Sequence, residues 1–232
     1  PVNNPALPTT GRRLAYARHL TSGQHPLLAR VAVNRLWHHH FGRGLVNSPG
    51  DFGQLGERPT HPQLLDWLAG EFAATGWSAK TLHRAILTSA TYQQQSSRSE
   101  QLDTVDPDNR LYARQSIRRI ATEVFRDSVL AVSGQYANRM GGPPIPVMED
   151  AVGQIVLGQE DLDGERKPKS QAGLGESAQR RSVYIQVRRS RPLAVLETFD
   201  LATVAPNCTQ RPSSNVAPQS LLLMNSDFIV GY

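Results

Sequence analysis

The sequence predicts a mainly α protein: an irregular multi-helix domain with long loops and one small β element near residues 182–188. Three observations carry that class. Apolar residues recur at three- and four-residue steps in several segments, which places them on one face of a helix. A single clear run, Val183, Ile185 and Val187 between Tyr184, Gln186 and Arg188, alternates at the period of a half-buried strand. The 18 glycines and 16 prolines among 232 residues separate the periodic segments and leave long irregular connections.

Residues 1–10 read as a linker. Thr10 is placed to cap a short helix over Arg12–Leu20, with Leu14, Tyr16, Ala17 and Leu20 on its inner side. The next helix is the best defined: Pro26 stands in its first turn, Ala29, Val33, Leu36, Trp37 and His40 form an apolar stripe, and Gly42 with Gly44 end it. Leu45–Arg58 is a structured loop. A third helix starts at Thr60-His61-Pro62 and buries Leu64, Leu65, Leu68 and Phe72. Gly76-Trp77 link it to a fourth, capped by Ser78. Gln93–Thr104 is polar enough to read as a linker or exposed loop. A short helix is expected over Arg110–Gln115 and a longer one over Ile117–Val132, with Ile117, Ile120, Val124, Ser128 and Ala131 in register. Residues 11–148 thus form a helical domain and 149–178 a flexible insertion. Residues 179–232 return to the same domain, with the strand, a short helix over Pro192–Phe199 and a last one over Gln219–Met224.

The bulk chemistry excludes more than it selects. Net charge is +5, but the basic residues are spread over the chain and no stacking platform of aromatics accompanies them, which argues against nucleic acid as a partner. Cys208 is the lone cysteine, so there is no internal disulfide and no cysteine-based zinc or iron–sulfur site. A haem-attachment C-x-x-C-H is missing, and no cofactor is expected in this stretch of chain. No apolar run is long enough to span a bilayer, and no signal peptide is visible. The chain opens on the loop-like Pro1-Val2-Asn3-Asn4-Pro5 and reads as a fragment of a longer polypeptide.

The most chemical-looking segment is Asn34-Arg35-Leu36-Trp37-His38-His39-His40-Phe41-Gly42. Three successive histidines on a helix point about 100° apart and cannot share one metal, so no metal site is assigned. His40 lies on the apolar stripe and reads as a satisfied, buried histidine. Arg35 and His39 share a face beside the stripe. The loop that follows must leave at Gly42–Gly44 and return at His61, carrying Asp51 with it. Asn34, Arg35, His39, Asp51 and His61 are therefore the candidate polar site, with Asp51 expected to pair with Arg35 or orient a histidine. The same residues could instead merely pin the loop, which is the favoured reading. Arg110, Arg114, Arg118, Arg119 and Arg126 read as solvated or ion-paired side chains.

Several segments taken together resemble one family. They begin with Arg13-Leu14-Ala15, His25-Pro26-Leu27, Val33-Asn34-Arg35-Leu36-Trp37 and His39-His40-Phe41-Gly42-Arg43-Gly44-Leu45-Val46. Asp51-Phe52-Gly53, Pro59-Thr60-His61-Pro62, Ser89-Ala90-Thr91-Tyr92 and Asp106-Pro107 with Asn109-Arg110-Leu111 continue the series. Arg126-Asp127-Ser128, Met140-Gly141-Gly142, Arg181-Ser182-Val183-Tyr184, Phe199-Asp200 and Pro218-Gln219-Ser220-Leu221 complete it. From about Arg12 to Phe228 the chain resembles the planctomycete-specific PSD-one domain of unknown function, which follows cytochrome c-like domains in large exported proteins. His38 departs from the family pattern, which has Gln there. The resemblance implies a periplasmic or secreted protein, with cytochrome-like domains upstream in the same polypeptide, haem in those domains, and polysaccharide as a candidate partner. It carries over no catalytic residue. The expectation is a non-catalytic scaffold or accessory domain tied to polysaccharide breakdown or electron transfer. The alternative is a hydrolytic or redox enzyme domain with its site near Asn34–His61.

Overall fold

The computed structural model describes residues 10–162, 168–203 and 208–231. Nearly all of the expected 1–10 linker and part of the 149–178 insertion fall outside the described residues. The fold is mainly α, and the chain divides into two compact units, Pro1–Arg118 and Arg119–Tyr232.

In the first unit α1 (Arg12–Thr21) has no buried residue, and its N-cap is Gly11 rather than Thr10. Leu14, Tyr16 and Ala17, expected on an inner face, are exposed. With four basic residues in ten and a weak apolar stripe, α1 offers little surface worth burying. The core is built by α2 (Leu28–Phe41), α3 (Pro62–Ala74) and α4 (Ala79–Leu87). Val33, Trp37 and Phe41 from α2 meet Leu65, Leu68 and Phe72 from α3 and Leu82 and Ile86 from α4. Each fully buried side chain of this size contributes about 1.5–3 kcal/mol. Helix α3 ends in a Schellman motif. The Trp77 N–H donates to Phe72 O at 2.9 Å and the Gly76 N–H to Ala73 O at 3.1 Å. Gly76 takes φ 69° without a Cβ penalty, and Trp77, itself at φ 62°, packs its ring edge-on against Phe72 at 5.3 Å. This closes the α3–α4 turn over the core. Ser78 caps α4 as expected: its Oγ accepts the Thr81 N–H at 3.3 Å. Ser78→Ala is expected to cost about 1 kcal/mol, read as a lower unfolding midpoint.

Two expectations for residues 93–116 are corrected. The polar stretch contains a short helix, α5 (Glu100–Val105), because Ser99 Oγ caps the Leu102 N–H and Glu100 and Asp103 lie in the first turn. The short helix expected over Arg110–Gln115 does not form. Asp106 takes up the N–H groups of Arg110 and Leu111 at 2.8 and 2.7 Å, while Asn109 and Tyr112 adopt positive φ of 51° and 54°. An α-helix cannot run through either residue.

In the second unit α6 (Thr122–Val132) begins five residues later than expected. Ile117 and Ile120 are exposed and precede the helix; Ile117 is 81% exposed. The buried face is Thr122, Arg126 and Leu130, not the anticipated Val124 register. Two short antiparallel pairs follow: β1 (Val147–Glu149) with β2 (Ile155–Leu157), and β3 (Gln159–Leu162) with β4 (Pro168–Ala172). The expected strand around 182–188 reduces to a 3-10 turn, Ser182–Tyr184, and one parallel bridge, Ile145 with Ile185. Its alternating pattern survives only as a buried Ile185 between exposed Val183 and Val187. Helices α7 (Ala194–Thr198), α8 (Ala217–Asn225) and α9 (Asp227–Val230) complete the unit. Ile145, Val147, Ile185, Leu193 and Leu196 form its core.

Candidate functional site

Asn34 is the center of the first unit's polar chemistry. It sits on α2 with none of its surface exposed. Its Nδ2 donates to Val46 O at 2.9 Å and its Oδ1 accepts the Val46 N–H at 2.8 Å. One amide therefore imitates a strand partner for the loop backbone, and drives Leu45 and Val46 into the core. The approach leaves no room at Gly44, where a Cβ would lie 2.5 Å from Val46 O and 2.7 Å from Asn34 Nδ2. The far end of the loop is tied by the Thr60 N–H to Leu45 O at 2.9 Å. Ser48 Oγ bridges the middle, donating to Asp51 O and accepting the Glu57 N–H, each at 2.8 Å.

The other four candidates lie on α2, in the loop and at the start of α3. Asp51 is exposed, and its Oδ1 accepts the Gly53 N–H at 2.8 Å in a local turn. It makes no ion pair with Arg35 among the described residues. Arg35 and His39 are exposed on α2. His61 stands at the N-cap of α3, with Nδ1 3.0 Å from Thr60 Oγ1 and its ring 5.7 Å from that of Tyr112. The loop thus gathers Asn34 and His61 toward its two roots, and holds Asp51 at its surface.

Two features escaped the sequence reading. Tyr112 enters the core beside Trp37 and Phe41, at ring distances of 5.4 and 5.3 Å, and its hydroxyl reaches Arg43 O and Gly44 O, each at 3.3 Å. Burial raises its pKa above the usual tyrosine value, so it serves as a neutral donor to the loop's first carbonyls. The Asp106-Pro107-Asp108-Asn109 turn chemistry was the available signal. The second feature is His40, half-buried with Nε2 2.7 Å from Nδ1 of His83 on α4. Its position on the apolar stripe was legible, but its partner 43 residues away was not.

Of the arginines read as solvated or ion-paired, Arg119 is ion-paired and Arg126 is among the most deeply buried polar groups of the second unit. Arg126 is 1% exposed and binds Arg180 O at 3.0 Å, Ser182 Oγ at 3.2 Å and Ala178 O. Arg180 in turn binds Pro143 O at 3.0 Å and Gly141 O, with its guanidinium 4.2 Å from the center of the Tyr184 ring. Arg119 joins Asp200, Ser214 O and Gln219. The Asp200 carboxylate also accepts the Ser214 N–H at 2.8 Å and its hydroxyl at 2.9 Å. That backbone bond and the Arg119 guanidinium outweigh burial and hold the Asp200 pKa below the ordinary carboxylate value. A carboxyl titrating lower in the folded than in the unfolded chain adds stability that is complete above about pH 4 and is lost as pH falls through the lowered value. Asp200→Asn is therefore expected to flatten the acid limb of a melting-temperature profile, while lowering stability at neutral pH.

Cavities among the described residues of this unit include the following two. One, of about 390 Å³, is walled by Val124, Asp127, Val183, Ile185, Leu193 and Leu196. The other, of about 910 Å³, lies between β2, α7 and α8, among Ile155, Leu157, Val195, Leu221, Leu222 and Phe228. Among the described residues no group of three or more His, Cys, Asp or Glu side chains could hold a metal ion, and no helix is long and apolar enough to cross a membrane.

Fold and site together define a mainly α chain whose buried polar side chains act chiefly on backbone groups of loops, many of them distant in sequence. The chain belongs to the PSD1 family, described as protein of unknown function (DUF1553), which matches residues 12–232. No curated protein and no solved structure matches it.

Proposed function

We propose that this chain is a non-catalytic scaffold or accessory domain of an exported, cytochrome-linked multi-domain protein that serves polysaccharide breakdown or electron transfer. One observation carries the non-catalytic part: three of the five candidate polar residues are each anchored to a separate neighbour. Asn34 closes on both polar groups of Val46, Asp51 on its own turn, and His61 on Thr60. A catalytic site needs such groups to converge on a space where a reacting atom can sit. The cytochrome link and export rest on the sequence resemblance. They make upstream cytochrome-like domains of the same polypeptide the partner, haem a resident of those domains, and the periplasm or cell exterior the location.

The test has two arms. The chain is titrated against the separately produced upstream region by calorimetry, and saturable one-to-one binding is expected. In parallel it is incubated with a panel of polysaccharides and assayed for new reducing ends, with none expected. Turnover that disappears in His39→Ala or His61→Ala at an unchanged melting temperature would instead establish the enzyme reading around Asn34–His61.

A further inference from the structure

We propose that His40 and His83 form a proton-operated latch between α2 and α4, closed while at least one ring is neutral and released when both are cations. The two rings face each other across the helix pair, with centroids 5.0 Å apart and His40 Nε2 2.7 Å from His83 Nδ1. A bond between two imidazole nitrogens requires that one carry the hydrogen and the other a lone pair. Adding one proton to the pair preserves that arrangement. Adding a second puts a hydrogen on both facing nitrogens, so the bond is lost and two positive charges meet at contact distance.

The charged groups that act on His40 are all basic. Tyr92 covers His40 edge-on at 5.7 Å with a neutral phenol. The groups acting on His40 are burial first, then His83, Arg118 and His39, and all of them push its pKa below the ordinary value. His38, on the same helix, is lowered by burial, His39 and Arg118. Helix α4 adds Lys80 and Arg84 beside His83. The acidic groups of α3 are directed elsewhere: Asp66 pairs with Arg30 at 2.6 Å, and Glu71 is exposed.

The position of the pair gives its protonation a consequence. His40 lies beside Phe41 and three residues after Trp37, while His83 lies between Leu82 and Ile86; all four of these apolar side chains are buried in the first unit's core. Release of the pair would loosen α4 and uncover Leu82 and Ile86. The sign follows from the lowered value. A lowered His40 value means that the open form takes up a proton that the closed form resists, so the latch's contribution is complete well above the ordinary histidine value of about 6.5 and is lost as pH falls below it.

The test uses the whole chain. Imidazole resonances of His40 and His83 are followed by NMR from pH 8 to 4.5, and amide exchange is measured in parallel. Two separated, coupled steps are expected for the pair. Exchange in α4, corrected for its intrinsic pH dependence, should rise about tenfold for each pH unit below the first step, while α3 stays unchanged. His83→Gln, which keeps an acceptor but takes no proton, should abolish the pH dependence in α4. Independent titration of both rings at ordinary values, or α4 exchange no more pH-dependent than that of α3, would overturn the latch. Both wild-type measurements decide this even if the variant does not fold.

Discussion

Arg126→Met is expected to destabilise the second unit by about 3–5 kcal/mol. Methionine fills much of the same volume, so the loss does not come chiefly from a cavity. It comes from what is left behind: Arg180 O, Ala178 O and Ser182 Oγ lose their guanidinium donor. Each unpaired buried acceptor costs about 1–3 kcal/mol. Arg126→Lys separates charge from geometry. A lysine keeps the charge but cannot spread a planar fork over three acceptors within Ala178–Ser182, so it should recover only part of the loss. Denaturant unfolding of the three proteins gives the comparison. A loss under about 1 kcal/mol for the methionine variant would show that the carbonyls find other partners.

Asn34→Ala should cost the first unit about 2–4 kcal/mol, because it leaves both the N–H and the C=O of Val46 buried without partners. The effect should be local as well as global. The 45–58 loop should become the first site of limited proteolysis, since its remaining ties are Thr60, Ser48 and the Tyr112 hydroxyl. Asn34→Asp should be at least as damaging. A carboxylate can still accept from Val46 N–H, but it cannot donate to Val46 O, and burial opposes its charge. Asp51→Ala removes only an exposed turn acceptor and should change stability by less than about 0.5 kcal/mol. That contrast within the five candidate residues separates the residue that anchors the loop from one at its surface.

What could be read without coordinates was the information stored locally. The helical class, the α2, α3 and α4 segments, the Ser78 cap and the Gly76 turn all follow from spacing and from residues within a turn of one another. Asn34 and the 45–58 loop were also singled out, because a polar residue beside an apolar stripe followed by a Gly-rich return is visible in one dimension. The misreadings arose where distant groups compete for the same backbone. Arg110–Gln115 has helical composition, but the Asp106 carboxylate captures two of its N–H groups. Ile117–Ala121 continues an apolar pattern into α6, but Arg119 is engaged by Phe199, Asp200, Ser214 and Gln219, and the stretch stays outside the helix.

The sequence by itself determined the mainly α class, the family, and the segments whose helices are specified by apolar period and caps. Only the tertiary structure decided which arginines are buried, which face α6 turns inward, and that His40 meets His83. The reason is physical. Period and capping act over three or four residues, whereas a buried guanidinium or a histidine pair is stable only when acceptors from remote stretches are brought to hydrogen-bond distance. For Arg126 those acceptors lie more than 50 residues away, and nothing in the local sequence around it marks them.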